Sequence, residues 1–349
     1  MFPLIETSRT IAELGFLAAL MLNSLLIYLT NWRAENITGP YKSMIIFCAL
    51  LGVGFSCVEM TARPFAHNYN GAFIYFSLAT GDSDWKPVTA LLLAVYAGTY
   101  AAMISSITVL FIYRFMVLVQ PYYLKHLFLD WRIIIWIFYI AIFGVAWAAL
   151  VYYCGYPDEV SQAYIQQEFE SIYKMDIDKT AVFIVLAYDK NPDNTLRWSS
   201  VLCIAGTVSI LITQYIIMAI CGTSMHIQMN EKLKNFSLIH QRLHKQFFKT
   251  LVIQITVPTI LFHMPVLPIL VTPFFNTEVS LQTGIAYSLF SLYPPIDSLI
   301  IMCVVSDYRS AMNSGFFSQV IKLIRDSGLI GRPESGASIS ALVPTGGYT

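Results

Sequence analysis

Seven times along the chain, apolar residues run for about twenty positions with few polar interruptions. The runs cover 11–30, 41–62, 88–113, 133–153, 199–222, 251–271 and 283–305. They show neither the alternation of a half-buried strand nor the one-sided stripe of a soluble helix. A bilayer core about 30 Å thick is crossed by roughly 20 apolar residues rising about 1.5 Å each. The pattern predicts an all-α integral membrane protein, a seven-transmembrane helix bundle over residues 11–305 behind a short outer segment, 1–10. Two shorter runs, 73–79 and 181–187, are too short to span and are expected to form strands or turns in loops.

The first run is longer than the apolar core of a signal peptide, and no small-residue cleavage pattern follows it before Trp32 and Arg33, so it reads as a retained helix. After the last run, Phe316, Phe317, Val320, Ile321 and Ile324 share one helical face with Lys322 and Arg325 elsewhere. An amphipathic helix over 306–327, lying on the membrane surface, is expected from that spacing. Residues 328–349 are rich in glycine, serine and proline and are expected to form a disordered cytoplasmic tail.

Composition agrees with burial in lipid. Hydrophobic residues make up 56% of the 349 and charged residues 12%, against about 25% charged in soluble domains. Lysine plus arginine equals aspartate plus glutamate, 21 each, so the chain lacks the basic excess of a nucleic-acid binder. Of the 21 basic residues, 14 fall on one side of the seven-span topology and 7 on the other. The positive-inside rule then places the N-terminus outside and the C-terminus in the cytoplasm. Both glycosylation sequons, at Asn36 and Asn235, fall on the cytoplasmic side. Glycan on Asn235 in cells, read as a gel shift reversed by glycosidase, would therefore invert the topology.

Six cysteines, Cys48, Cys57, Cys154, Cys203, Cys221 and Cys303, show no metal-ligand spacing. Cys154 and Cys203 lie near the outer surface, where a disulfide between them is open. His240 and His244 stand four apart, but within a basic loop, and read as a solvated helix face. No cofactor motif, phosphate-binding glycine loop or nucleophile elbow is present.

Charges inside spans are costly and mark structural pairs or function. Glu59 and Arg63, four apart in the second run, have the favourable order for a helical ion pair. Asp297 follows Pro294 and Pro295 in the seventh run, where two prolines remove amide donors and predict local unwinding. This makes 293–297 a candidate hinge. The sixth run carries Pro258, Pro265 and Pro268 around His263, and is expected to kink. Arg114 sits at the inner end of the third run, where an arginine commonly snorkels into headgroups.

Several blocks together bear a resemblance to a known family. "GPYKSMIIF" at 39–47, "EMTARPFAH" at 59–67, "YRFMVLVQP" at 113–121, "YYCGYPDE" at 152–159, "RLHKQFFKTLVIQITVPTILFHMPV" at 242–266 and "YPPIDSLIIMCVVSDYRSAM" at 293–312 follow in order. The chain resembles the serpentine G-protein-coupled receptors, and within them the nematode Str-type chemoreceptors, the family that includes the worm diacetyl odorant receptor. The resemblance implies an olfactory-type receptor in the plasma membrane of a sensory neuron cilium. Its implied partners are a small-molecule odorant or pheromone outside, membrane lipid around it and a heterotrimeric G protein inside. Tyr113, Arg114, Gln120, Pro121, Lys245 and Lys249 would form the G-protein-coupling face. Pro258, Pro265, Pro294, Pro295 and Asp297 would serve as the switch. From helix depth, Tyr96, Tyr100, Met103, His263 and Tyr287 are the candidate ligand contacts.

The chain departs from the broader rhodopsin-like pattern. Tyr113 stands where an acidic residue usually precedes the arginine, no cysteine tops the third run, and "YPPID" replaces the usual seventh-helix motif. Two other readings stay open. One is a seven-span ligand-gated cation channel with inverted topology; the other is an intramembrane enzyme or transporter, for which catalytic pairs and an internal repeat are lacking. Energetics constrain the receptor reading. A ligand of about six heavy atoms, at about 1.5 kcal/mol each, gains about 9 kcal/mol. Moving a two-state receptor from 1:99 to 99:1 takes about 5.5 kcal/mol of that as differential affinity. A small volatile therefore needs a receptor poised near balance, with measurable basal activity; a larger ligand relaxes the constraint.

Overall fold

The computed structural model describes residues 2–312 except 35–36, 38, 80–82, 129, 190–193, 236 and 276–279. Seven helices among the described residues are long and apolar enough to cross a membrane. In chain order, the elements are α1 (Phe2–Trp32), α2 (Pro40–Ala62), β1 (Pro64–Tyr69), β2 (Ala72–Ser77), α3 (Lys86–Leu118) and α4 (Pro121–Leu127). Then come α5 (Ile133–Ala149), α6 (Glu159–Tyr173), β3 (Val182–Leu186), α7 (Trp198–Lys232), α8 (Leu238–Pro258) and α9 (Met264–Val271). β4 (Ser280–Leu281), α10 (Gly284–Ser288), α11 (Tyr293–Val304) and α12 (Ser306–Ala311) complete the order. Spans one, two, three and five are α1, α2, α3 and α7. Span four is α5 with a π-helical turn, Leu150–Cys154. Span six joins α8 and α9 through a π-helical turn at Thr259–His263. Span seven joins α10 and α11 through a 3-10 turn at Leu289–Leu292.

All seven expected spans are present, and several are longer than their apolar runs. α1 reaches back to Phe2, so the expected outer segment 1–10 is helical where described. Arg9 and Glu13 pair across one turn at 2.7 Å, and the buried Ser8 hydroxyl bonds Ser288 of span seven. α8 begins thirteen residues before the apolar run, because the polar stretch with Ser237 as its N-cap continues the same helix. Polar helix beyond the lipid boundary leaves no hydropathy signal, which is why the runs end early.

Prolines begin the second half of span seven rather than breaking it. Pro294 and Pro295 occupy the first turn of α11, where a missing amide proton costs nothing. The irregular segment lies one turn earlier, at 289–292, and not at the expected 293–297. Of the expected 306–327 surface helix, α12 is the described beginning; Tyr308 there is fully buried and its hydroxyl meets Thr30 at 2.9 Å. Residues 313–327 of that expected helix and the expected tail, 328–349, lie outside the described residues.

α3 runs through the centre of the bundle, buried along most of its length. Small residues let span four approach it closely. A Cβ added to Gly98 would lie 2.5 Å from the Gly144 carbonyl oxygen, and one on Gly144 would lie 3.3 Å from Ala102 Cβ. Gly98 and Ala102 on one helix thus face Gly144 and Ala148 on the other, the small-xxx-small packing of membrane helices.

One end of the bundle is roofed by a four-stranded antiparallel sheet in the order β3-β2-β1-β4. Asn70 and Gly71, both at positive φ, turn β1 into β2, as a two-residue hairpin requires. α6 lies over this sheet and packs Ile165, Phe169 and Tyr173 against Phe65 and Phe76. The runs 73–79 and 181–187 thus supply strands, as expected; β1 and α6 did not emerge from the run pattern. Cys154 and Cys203 are both free thiols.

His67 of β1 is fully buried in this roof, with Nδ1 3.2 Å from the Tyr173 hydroxyl and Nε2 3.4 Å from the Ser280 hydroxyl. Burial pushes its pKa down to about 4, opposed by the Glu168 carboxylate 3.9 Å away. An unfolded chain takes up this proton below about pH 6.5 while the folded one refuses it until about pH 4. Stability from this group is therefore complete above about pH 6.5 and falls with acidification, by about 2 kcal/mol at pH 5. Thermal unfolding of solubilised protein should show the melting temperature falling from pH 7 to pH 5, with a shallower slope in His67→Gln. An unchanged slope in that variant would place the acid sensitivity elsewhere.

Candidate functional site

Below the sheet, among spans three to seven, lies a cavity of about 630 Å³. Pockets of about 300–1,000 Å³ are the size that takes small-molecule ligands. Tyr96, Tyr100, His263 and Tyr287 all line it, together with Tyr215 and Thr259. Met103 does not; it is buried in the core outside the cavity lining.

A chain of hydrogen bonds crosses the cavity wall, and its direction can be assigned from donor count. The Thr259 hydroxyl donates to the Ile255 carbonyl at 2.6 Å and so accepts from the Tyr215 hydroxyl at 2.5 Å. With its proton used, Tyr215 accepts from His263 Nδ1–H at 2.9 Å. Nε2 of the neutral imidazole is then an acceptor, and the Tyr100 hydroxyl donates to it at 2.6 Å. Span three is thereby tied to span six and span six to span five, at the π-helical turn after Pro258. The Tyr100 oxygen keeps unused lone pairs, so this wall suits a ligand that donates a hydrogen bond.

Tyr96 also reaches span two, where its hydroxyl donates to Glu59 Oε1 at 3.3 Å. Glu59 is buried and its Oε2 has no hydrogen-bond partner among the described residues. Arg63 does not pair with it. α2 stops at Ala62, and Arg63 caps it in the left-handed conformation at φ 44°, so the expected helical four-residue spacing ends one residue too soon.

At the opposite end, Arg114 lies inside the bundle, 8% exposed, rather than reaching outward from it. α3 continues to Leu118, which leaves Arg114 a turn short of the helix end. Its guanidinium carbon sits 3.4 Å from the Tyr41 ring centroid of span two and 3.7 Å from the Phe247 ring centroid of span six. The two rings meet edge to face at 4.6 Å, and Tyr113 stacks on Tyr41 at 5.8 Å. Nε and Nη2 of Arg114 have no hydrogen-bond partner among the described residues, so ring faces do the holding that an acidic neighbour would otherwise do. Lys245 and Lys249 flank Phe247 in sequence but are exposed, as are Gln120 and Pro121 at the start of α4. Asp297 accepts from Gln254 Nε2 at 2.8 Å, linking spans six and seven. Pro294 and Asn23 both lie against Gly52, and Asn23 Oδ1 accepts from the Ser298 hydroxyl at 2.8 Å.

This arrangement has relatives. The profile of the family described as serpentine type 7TM GPCR chemoreceptor Str matches residues 8–313. The chain belongs to the Str family of serpentine chemoreceptors. This Str receptor is 57% identical to the Caenorhabditis elegans G-protein coupled receptor str-33 over 314 residues, 89% of this chain and 91% of that one. It is 25% identical to serpentine receptor class r-10 of Caenorhabditis briggsae over 302 residues, 85% and 87% of the two chains. Its fold is that of squid rhodopsin, with a TM-score of 0.51 at 14% identity, covering 95% of this chain and 88% of that one. It is therefore a multi-pass membrane protein of the G-protein-coupled receptor class.

Tyr41, Phe247, Tyr215 and Gln254 of this Str receptor were not singled out by sequence reasoning. Tyr215 and Gln254 left a signal. "TQY" at 213–215 and Gln254 interrupt apolar runs, and a polar side chain in lipid needs a partner. Tyr41 and Phe247 left none: each is an aromatic residue close to lysine, and nothing in the sequence says which way its ring turns.

Proposed function

We propose that this Str receptor binds a small ligand in the cavity beneath the sheet and activates a heterotrimeric G protein at the Arg114 end. The sheet end faces outside, with the N-terminus, in the plasma membrane of a sensory neuron, at its cilium; the excess of lysine and arginine on the Arg114 side supports this orientation. The observation that carries the reading is the hydrogen-bond chain from Tyr100 through His263 to Tyr215 and Thr259. It places polar groups of three spans at one apolar cavity, next to the π-helical turn of the span that also closes on Arg114. A ligand that competes for the Tyr100 oxygen or the imidazole changes the bond holding spans three and six together. Because Pro258 removes a backbone donor at that level, span six can rearrange there at low cost. Arg114, with Tyr113, Gln120, Pro121, Lys245 and Lys249 around it, forms the transducer face. Asp297 and Gln254 carry the change to span seven.

The test is expression with a promiscuous G protein and a screen against volatiles and larger amphiphiles. Active compounds should lose about tenfold in potency on Tyr100→Phe, the worth of one hydrogen bond of about 1.4 kcal/mol, with surface expression retained. Full potency in both Tyr100→Phe and His263→Gln would rule out this cavity as the ligand site.

A further inference from the structure

The cavity is walled unevenly. On the sheet side its lining residues Phe73, Tyr75, Phe183 and Val185 are at most 6% exposed, and α6 covers the sheet behind them. At the edge between spans five and six the lining residues are open: Ile212 and Ile216 are each 53% exposed, Met264 64% and Leu267 44%. These four border the cavity and present the rest of their surface outside the bundle, which at mid-span is hydrocarbon. Tyr215 bridges the same gap through Thr259 and His263. Pro258 and the π-helical turn interrupt the regular wall span six would otherwise form there.

Size points the same way. At roughly 30 Å³ per heavy atom, the share of one water in the liquid, about 630 Å³ holds on the order of 20 heavy atoms. A six-atom volatile would leave most of it empty. A molecule of that larger size with an apolar chain gains about 0.8 kcal/mol per methylene on leaving water, so the bilayer concentrates it before it meets the protein.

We infer that the ligand enters this cavity laterally from the bilayer, between spans five and six, and is a membrane-partitioning amphiphile with a hydrogen-bond-donating head group. This rests on the cavity being the ligand site. The head group meets the free lone pairs of Tyr100, and the chain lies along the apolar walls between span five and β3. The sheet and α6 keep water out.

Photolabelling tests it, using the full chain in nanodiscs and dodecanol carrying a mid-chain diazirine, with labelled peptides mapped by mass spectrometry. Label is expected at cavity residues such as Cys203, Tyr215 and His263, and at Ile220, which is 61% exposed on span five. Ile216→Trp and, separately, Leu267→Trp should each cut cavity label about tenfold and leave Ile220 label unchanged, which also reports an intact span. Cavity label undiminished in both variants would overturn the lateral route while leaving the cavity as ligand site. Label at Ile220 with none in the cavity of the unaltered protein would overturn the amphiphile class; Tyr100→Phe in the signalling screen judges the cavity itself independently.

Discussion

Phe247→Ala is expected to raise unliganded signalling about tenfold at equal surface expression. Tyr113 precedes Arg114, so a carboxylate adjacent in sequence is missing, and the rings of Tyr41 and Phe247 lie over the guanidinium instead, at 3.4 and 3.7 Å. A cation over a ring is worth about 0.5–2 kcal/mol, and about 1.4 kcal/mol within that range is tenfold in an equilibrium. Phe247 is carried by span six, so any outward movement of that helix must forfeit this contact. Removing the ring removes the restraint without touching the arginine. Phe247→Trp keeps a ring face and should leave basal signalling near its original level. The measurement is second-messenger output without added compound, normalised to surface protein. A Phe247→Ala receptor as quiet as the parent, at equal surface level, would show that the aromatic clamp does not restrain span six.

Gly98→Leu is expected to remove most of the receptor from the cell surface. Even a bare Cβ at this position would stand 2.5 Å from the Gly144 carbonyl oxygen and 2.9 Å from Ala148 Cβ, both on span four and both unable to yield without moving the helix. Overpacking a tight contact costs about 1–3 kcal/mol, and leucine adds three further carbons to a crossing whose close approach is its main attraction in lipid. Spans three and four must part, and α3 is the element against which the cavity and the arginine clamp are both built. Gly54→Leu is the matched control, since a Cβ there meets nothing within 4 Å. Surface labelling and the melting temperature of solubilised protein read the outcome. Parent-like values for Gly98→Leu would mean the close crossing is dispensable.

The candidate site was legible in part. Tyr96, Tyr100, His263 and Tyr287 could be chosen by depth along their helices, because a span of known rise sets how far each residue lies from the membrane edge. Met103 failed the same criterion because depth says nothing about which way a side chain points. The Glu59 to Arg63 pair failed because it assumed helix through Arg63, and the left-handed cap there depends on how α2 feeds β1. The hairpin was readable from Asn70-Gly71 between "PFAHNY" and "AFIYFS", and α6 from Ile165, Phe169 and Tyr173 at four-residue spacing. β1 and α6 lay between apolar runs and so left no signal in the run pattern.

The chain's amino acids, taken alone, determined that it crosses a membrane seven times, where each crossing lies, and which family it resembles. Each crossing is a local property, the summed transfer free energy of about twenty consecutive residues, and needs no knowledge of neighbours. Tertiary structure alone decided that Arg114 is enclosed by rings at positions 41 and 247, that Tyr215 completes the chain from Tyr100, and that the cavity is shut toward the sheet and open between spans five and six. Those are relations between helices whose apolar surfaces are nearly uniform around their circumference. With hydrocarbon on every side, hydrophobicity no longer says which face turns inward; only the fit of small residues, rings and hydrogen bonds does.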